Sequence, residues 1–218
     1  MPKYSYLDPT IELEFTERML NDIKELIANK REGVKSDFSS WERKNRKLKN
    51  ENTEWYQWQE DSFVDEMFFV SELEKNLLNG LAISINTIFE RHVSIIIRES
   101  KKISDKKDYN DRHTYKIEEL KKTLIEINHP NIKIIDSKLI SRLRCYIDVR
   151  NILVHREGSV SESDRIIKAF IKTNRNLFVI KETPFGISVT DGYIKKALDD
   201  IKNFFRLLLY ENGEVIYY

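Results

Sequence analysis

Two side chains with the chemistry to act on a phosphodiester lie near the C-terminal end of a predicted helix. Arg150 and His155 fall in the segment DVRNILVHREG, and Asn151 directly follows the arginine. Histidine is the side chain that titrates nearest neutral pH, so it can accept or donate a proton. Arginine can hold phosphoryl oxygens with two parallel hydrogen bonds. Together these residue types indicate acid–base chemistry on a phosphate ester.

The spacing of these residues limits how they can cooperate. An apolar run at helical spacing precedes them. The sequence predicts that this helix starts near Asp136 or Ser137 and ends at Gly158. Arg150 and His155 are five residues apart, which places them about 140° apart around an ideal helix. A shared site therefore needs the helix to fray after Val154, or a second copy of the helix that faces the first. Asn151 and His155 are four residues apart and share one face.

This segment resembles the motif of HEPN domains, many of which are metal-independent ribonucleases. The shared pattern is an arginine, an asparagine, three residues and then a histidine at a helix end. A long apolar helix before the motif (Leu73 to Arg98) and a closing helix after it (Tyr193 to Tyr210) are also similar to that family. The resemblance covers roughly Asp65 to the C-terminus and implies that Arg150, Asn151 and His155 are catalytic. Some toxins of the family carry, two residues past the histidine, a tyrosine that a partner enzyme modifies; this chain has Glu157 there.

The predicted fold is mainly α. We expect a HEPN-like antiparallel helical bundle with a small β-hairpin before the C-terminal helix and an N-terminal helical extension. Asp8 and Pro9 predict the start of the first helix, and Gly33 predicts its end. An Asn-rich stretch at 50–53 indicates the join, so the predicted division is an extension at 1–62 and a HEPN-like domain at 63–218.

Two further residues are predicted to support the site. Glu90 stands where related domains have an acidic residue, and by that analogy it approaches the Arg150 and His155 end. The alternative is a surface pair of Glu90 with His92. Arg156 adds positive charge next to the motif, as Arg142 and Arg144 do, although a helical arginine is usually just solvated.

A second candidate surface combines cations with aromatic side chains. Between Trp41 and the cluster Trp55, Tyr56 and Trp58 the chain is rich in lysine and arginine. Such a surface can grip phosphates and stack bases. The alternative is a solvated helix whose tryptophans cover the core. The candidate RNA-binding residues are Arg43, Lys44, Arg46 and Lys47.

Composition excludes several classes of protein. Hydrophobic residues make up 40% and charged residues 33%, as in soluble globular chains, and Lys+Arg 37 against Asp+Glu 36 gives no overall positive field. One cysteine and four scattered histidines predict no metal site and no disulfide. We expect no cofactor, no signal peptide and no membrane span, and hence a cytoplasmic protein.

These observations predict a metal-independent endoribonuclease that uses the 2′-hydroxyl of RNA as its internal nucleophile. The resemblance implies a toxin or antiviral defence effector, a homodimer and a possible cognate antitoxin or defence-system partner. We expect the dimer interface on the apolar faces of the long helix from Leu73 and the closing helix from Tyr193. The alternative for the assembly is a monomer in which the N-terminal extension covers these faces. The alternative is a catalytically inactive HEPN-like module that binds a partner or a nucleotide through the same helix ends.

Overall fold

The structure, a computed structural model, describes residues 8–103, 116–128, 135–182, 185–211 and 214–215. The segment in which a signal peptide would begin, residues 1–7, lies outside them. The described helices are α1 (Pro9–Asn45), α2 (Leu48–Glu51), α3 (Thr53–Ile103), α4 (Lys116–Glu126), α5 (Ser137–His155), α6 (Arg165–Thr173) and α7 (Asp191–Leu209). A 3-10 turn (Arg175–Leu177) precedes the hairpin of β1 (Phe178–Glu182) and β2 (Phe185–Val189), and two short strands, β3 (Tyr210–Glu211) and β4 (Glu214–Val215), follow α7.

The chain is therefore mostly helical, with a two-stranded antiparallel hairpin before the C-terminal helix, and both predictions are confirmed. In the hairpin Phe178 pairs with Val189 and Glu182 with Phe185. The apolar faces of α3, α5 and α7 meet in one core together with the first half of α1 and with α4. The largest side chains in this core include Phe89, Tyr146 and Tyr193.

The first helix begins where the sequence predicts. Asp8 Oδ1 accepts a hydrogen bond of 2.9 Å from the backbone N–H of Thr10, and Pro9 occupies the first turn. The predicted end near Gly33 is wrong, because α1 continues to Asn45. A glycine in a helix costs about 1 kcal/mol, and burial of Val34 against α3 outweighs that cost.

The predicted domain boundary at 62/63 falls inside the continuous helix α3, which starts at Thr53. The chain does break between helices near the Asn-rich stretch, at Asn52. The first half of α1 belongs to the same core as α7, and the Lys24–Asp191 ion pair of 2.9 Å joins these two helices. The division into an extension and a HEPN-like domain stays a prediction.

Helix α3 is long and apolar enough to cross a membrane by length and composition, with an 18-residue window of mean hydropathy 1.2. This differs from the expectation from the sequence that no stretch would suit a membrane span. Of the window, 44% is buried within the protein, and core helices of bundles pass the same test. This measure alone is weak evidence for a membrane segment.

The loop after α5 is held by an unusual backbone conformation. Gly158 has φ +85°, and its carbonyl oxygen accepts a hydrogen bond of 2.8 Å from the N–H of Ile187 on β2. A Cβ at this position would collide with the carbonyl oxygen of Ile187. Glycine is therefore required both for the left-handed backbone and for the close approach of this loop to the hairpin.

We expect Gly158→Ala to lower the free energy of unfolding by about 1–3 kcal/mol, because the residue is forced into a disfavoured conformation against a backbone atom. Gly192→Ala is the matched control, since a Cβ there meets only ordinary contacts of 3.5 Å. Urea denaturation of both variants measures the difference. Equal unfolding midpoints for the two variants would contradict the assignment.

Candidate functional site at the end of helix α5

Helix α5 carries the Arg150–His155 motif and is fixed by its start and its buried face. Asp136 accepts a hydrogen bond of 3.0 Å from the backbone N–H of Lys138, which confirms the predicted start. The side chains of Leu143, Tyr146 and Val149 are fully buried in the core. The helix runs without a break to His155.

A buried ion pair joins α5 to α7. Arg142 donates two hydrogen bonds to Asp200, of 2.7 Å from Nε and 2.9 Å from Nη2, and the hydroxyl of Tyr146 donates a third of 2.7 Å. Burial acts to raise the pKa of Asp200, but the hydrogen bonds from Arg142 and Tyr146 outweigh burial and lower this pKa below its ordinary value. This network fixes the angle and height at which α5 lies on α7.

The three neighbouring arginines all remain partly exposed, and each of them forms an ion pair with an acidic side chain. Arg142 binds Asp200, Arg144 binds Glu118 on α4 at 2.7 Å, and Arg156 binds Asp164 at 2.6 Å. Sequence reasoning missed the role of Asp200. The available signal was an acidic residue at an apolar-stripe position of α7, between Ala197 and Phe204.

Arg150 and Asn151 contact each other directly. Arg150 Nη1 donates a hydrogen bond of 2.9 Å to Asn151 Oδ1, and both side chains are half-buried. The half-buried amide of Asn151 thus has its partner in the preceding residue. Within the part of the chain that the structure describes, the buried Arg150 Nε has no hydrogen-bond partner. The guanidinium is therefore held at one nitrogen by Asn151.

His155 is exposed and is the last residue of α5. Because the helix is regular up to this residue, it does not fray after Val154, and Arg150 and His155 stay about 140° apart around the axis. One copy of α5 therefore does not direct both side chains at the same point. Of the two arrangements that the sequence left open, fraying after Val154 is not what the structure shows.

The segment after His155 holds the motif against the hairpin. Arg156 is bound by Asp164, whose second partner is the backbone N–H of Ser161 at 2.8 Å. The hydrogen bonds from Arg156 lower the pKa of Asp164. Arg156, predicted to support the site, therefore holds the loop between α5 and α6.

Glu90 and His92 lie in the C-terminal third of α3, beside the C-terminal half of α7. His92 packs edge-on against Phe205, with the ring centroids 5.9 Å apart. The motif end of α5 lies instead near the N-terminal half of α7, where Tyr146 contacts Tyr193. The structure therefore does not bring Glu90 next to the motif.

The predicted surface pair of Glu90 and His92 is also wrong, because His92 is buried. Its Nε2 lies 3.5 Å from Glu12 Oε1, and Glu12 also binds Arg91. Burial, opposed by the charge of Glu12, lowers the pKa of His92. The histidine thus belongs to the contact between α1 and α3.

The candidate RNA-binding cations lie far from the motif, at the far end of the α1–α3 pair. Arg43, Lys44, Arg46 and Lys47 are all exposed there. The ring of Trp41 contacts Phe38, Tyr56 and two further rings, with centroids 4.7 Å apart in the Tyr56 pair. Trp41 therefore joins α1 to α3 and does not offer a free face to a base.

Other chemistries find little support in the described residues. Within the ranges that the structure describes, no group of three His, Cys, Asp or Glu side chains could hold a metal ion. Cys145 is buried, and burial raises the pKa of its thiol to about 11, so it is a poor nucleophile near neutral pH.

Comparison with known proteins gave no matching family model, no matching curated protein and no matching solved structure. The similarity to HEPN domains therefore rests on the residues of the motif and on their placement at a helix end.

We expect Asp200→Asn to lower the free energy of unfolding at pH 7 by about 1.5–3 kcal/mol, since hydrogen bonds to a charged, buried acceptor are weakened. The pKa of Asp200 is lowered on folding, so its contribution is complete above the unfolded value of 3.8 and is lost as the pH falls through the folded value. The difference from wild type should therefore shrink in acid. Asp199→Asn, at the exposed neighbouring position, is the control, and urea unfolding across this pH range is the measurement. A pH-independent difference would refute the argument.

Proposed function

We propose that this chain is a metal-independent endoribonuclease of the HEPN type that acts at the C-terminal end of α5. The observation that carries the proposal is the Arg150–Asn151 hydrogen bond of 2.9 Å, one turn before the exposed His155. This arrangement presents a fixed cation and a free imidazole at one end of a firmly packed helix. Cleavage of RNA without a metal ion requires a group that transfers protons and a group that stabilises the charge on the phosphoryl oxygens, and these two side chains can supply both.

The chemistry follows from the RNA itself. The 2′-oxygen attacks the adjacent phosphorus as its proton passes to a base, and the bond from phosphorus to the 5′-oxygen breaks as that oxygen receives a proton. His155 takes part in this proton transfer, and Arg150 stabilises the negative charge that builds on the phosphoryl oxygens. Asn151 holds the guanidinium of Arg150. The products are a 2′,3′-cyclic phosphate and a 5′-hydroxyl, and DNA is inert because it lacks the 2′-hydroxyl.

The working unit that we propose is a homodimer, in which the two α5 ends face each other. Arg150 of one chain then acts with the partner's His155, which removes the problem of their 140° separation on one helix. The interface surfaces expected from the sequence are not available, because Phe89 on α3 and Phe204 and Phe205 on α7 are buried within one chain. The first half of α1 covers part of these faces, and this observation supports the monomer alternative for the assembly.

A cytoplasmic role as a toxin or antiviral effector, with an antitoxin or defence-system partner, is part of this proposal and rests on the resemblance alone. A contact of RNA with Arg43, Lys44, Arg46 and Lys47 also stays a prediction. Their exposure supports it, whereas their distance from the motif argues for an accessory contact.

The second candidate function is an inactive HEPN-like module that binds a partner or a nucleotide. The observation in its favour is that Arg150 and His155 do not converge within one chain, while Asn151 already occupies one nitrogen of the guanidinium. Such a module would bind RNA or a nucleotide at the same helix end without breaking a bond.

We expect the wild-type protein to cleave single-stranded RNA in excess EDTA, and His155→Ala to reduce the rate by about 10² to 10⁴. Arg150→Ala should reduce it comparably, because the charge on the phosphoryl oxygens is no longer balanced. Lys122→Ala, at an exposed position on α4, is the control and should retain full activity. Gel analysis of end-labelled RNA measures both the rate and the chemistry of the ends.

Three results would refute the ribonuclease proposal: loss of cleavage in EDTA, products with 5′-phosphates, or full activity of His155→Ala. Binding of RNA without any cleavage, abolished by Arg150→Ala, would instead favour the inactive module.

Mixing Arg150→Ala protein with His155→Ala protein tests whether the site is shared. If each site takes its arginine from one chain and its histidine from the other, random mixing should restore about a quarter of the wild-type rate. Each variant alone should stay inactive. Purified heterodimers that remain inactive would show that the chains do not share their sites.

A further inference from the structure

Helix α6 follows the motif in the sequence and lies beside it in the fold. Arg156, which directly follows the motif, binds Asp164 at 2.6 Å, and α6 begins at the next residue, Arg165. The helix then packs on the side of α5, where the rings of Phe170 and Tyr146 have their centroids 5.9 Å apart. The first turn of α6 is therefore fixed next to the motif end of α5.

Three cations occupy one side of this helix. Arg165, Lys168 and Lys172 lie within about 60° of one another around the helix axis, and the first and the last are about 10 Å apart by helix rise. We call these three residues the α6 row. Ile167 and Ile171 are buried in the core on a different side of the helix. The row therefore lies on the outer side of α6, with Arg165 and Lys172 exposed and Lys168 half-buried.

The charges of the α6 row are not neutralised by neighbouring side chains. Within the ranges that the structure describes, neither Arg165 nor Lys172 forms an ion pair, and Asp164, directly before the row, is already bound by an arginine of the preceding loop. Glu157 and Glu162 are exposed in that loop. The helix α6 and the 3-10 turn after it contain four lysines and arginines and no acidic side chain. The positive charge of the row is therefore available to a ligand.

The positions of these cations do not serve the stability of α6. Arg165 is the first residue of the helix, where the helix dipole disfavours a positive charge. Lys168 and Lys172 are four residues apart, and like charges at this spacing destabilise a helix. Lys168 is held by the ring of Phe185 on β2, with its Nζ 5.7 Å from the ring centroid. The α6 row thus costs folding stability, and a ligand with negative charge would offset that cost.

From these observations we infer that the α6 row binds successive phosphates of the RNA strand whose neighbouring phosphate lies at the motif. Cations on one side of a helix recur about every 5.4 Å, which is comparable to the separation of phosphates along an extended strand. Contacts with phosphates position a strand and carry no sequence information. The row therefore favours a single-stranded RNA of several nucleotides and does not select bases.

The inference rests on the proposed function only for the phosphate that is cut. Binding to the α6 row needs no bond to break and no 2′-hydroxyl, so single-stranded DNA should occupy the row as RNA does. A strand that binds through the row without being cleaved would remove the proposed function and leave the inference in place. Cleavage in EDTA that is equally fast for a dinucleotide and for a longer RNA would remove the inference and leave the proposed function.

The test compares an RNA of about eight nucleotides with a dinucleotide, which has a single phosphate, as ligands of the full chain carrying His155→Ala. Fluorescence anisotropy of the labelled RNA measures the dissociation constant across a range of salt. Adding Arg165→Ala and Lys172→Ala should weaken binding of the longer RNA by about tenfold or more at low salt. The slope of log Kd against log salt should fall by roughly 1.4, or about 0.7 for each lost contact with a single strand. Binding of the dinucleotide should not change, because it does not reach the row.

Two further variants separate the effect of charge from an effect on folding. Arg165→Lys with Lys172→Arg keeps both charges and should retain the affinity for the longer RNA. Lys121→Ala with Lys122→Ala removes two exposed cations from α4, which lies beside the N-terminal half of α5, and should leave affinity and salt slope unchanged. Circular dichroism establishes that each variant is folded.

Unchanged binding of the longer RNA by the double alanine variant on α6 would overturn the inference. An equal loss in the α4 control, or an equal loss for the dinucleotide, would overturn it as well. A glutamate peptide of the same charge that binds as tightly as the RNA would assign the α6 row to an acidic protein instead. A loss of affinity and slope that is confined to the α6 variant and to longer strands would support the inference.

Discussion

The position of the motif helix depends on how one buried charge is satisfied. Asp200 interrupts the apolar face of α7, and a carboxylate there is stable only with strong hydrogen-bond donors. Arg142 and Tyr146, one turn apart on α5, supply three such bonds. Any sliding or rotation of α5 would leave this charge without its donors. The network therefore sets where the far end of α5, with Arg150 and His155, emerges from the bundle.

The same rigidity prevents a complete site within one chain. A firmly packed, regular helix holds Arg150 and His155 on different sides of its axis. The loop that follows gives no freedom either, since Gly158 hydrogen-bonds to β2 and Arg156 is bound by Asp164. The site that we propose therefore draws on a second helix end. The rigidity that fixes α5 in the bundle is also what keeps the two side chains apart on one helix.

Local signals in the sequence were enough to predict the helices, the hairpin and the start of α5. Asp8 and Asp136 cap helices where expected, because a capping side chain acts on backbone groups two or three residues away. The apolar periodicity of α7 likewise depends only on neighbours along the chain. The motif could be located for the same reason, since Arg150 and Asn151 are adjacent and interact directly.

Contacts between distant segments were decided by the tertiary structure alone. Helix α1 passes through Gly33 because α3 packs against it, and His92 is buried because α1 and α7 cover it. The partnership of Arg142 with Asp200 spans 58 positions, and no periodicity within α5 identifies its acceptor. The sequence also did not show which apolar faces would be buried and which would stay exposed. That outcome depends on where the other helices end, and those ends are set by packing in three dimensions.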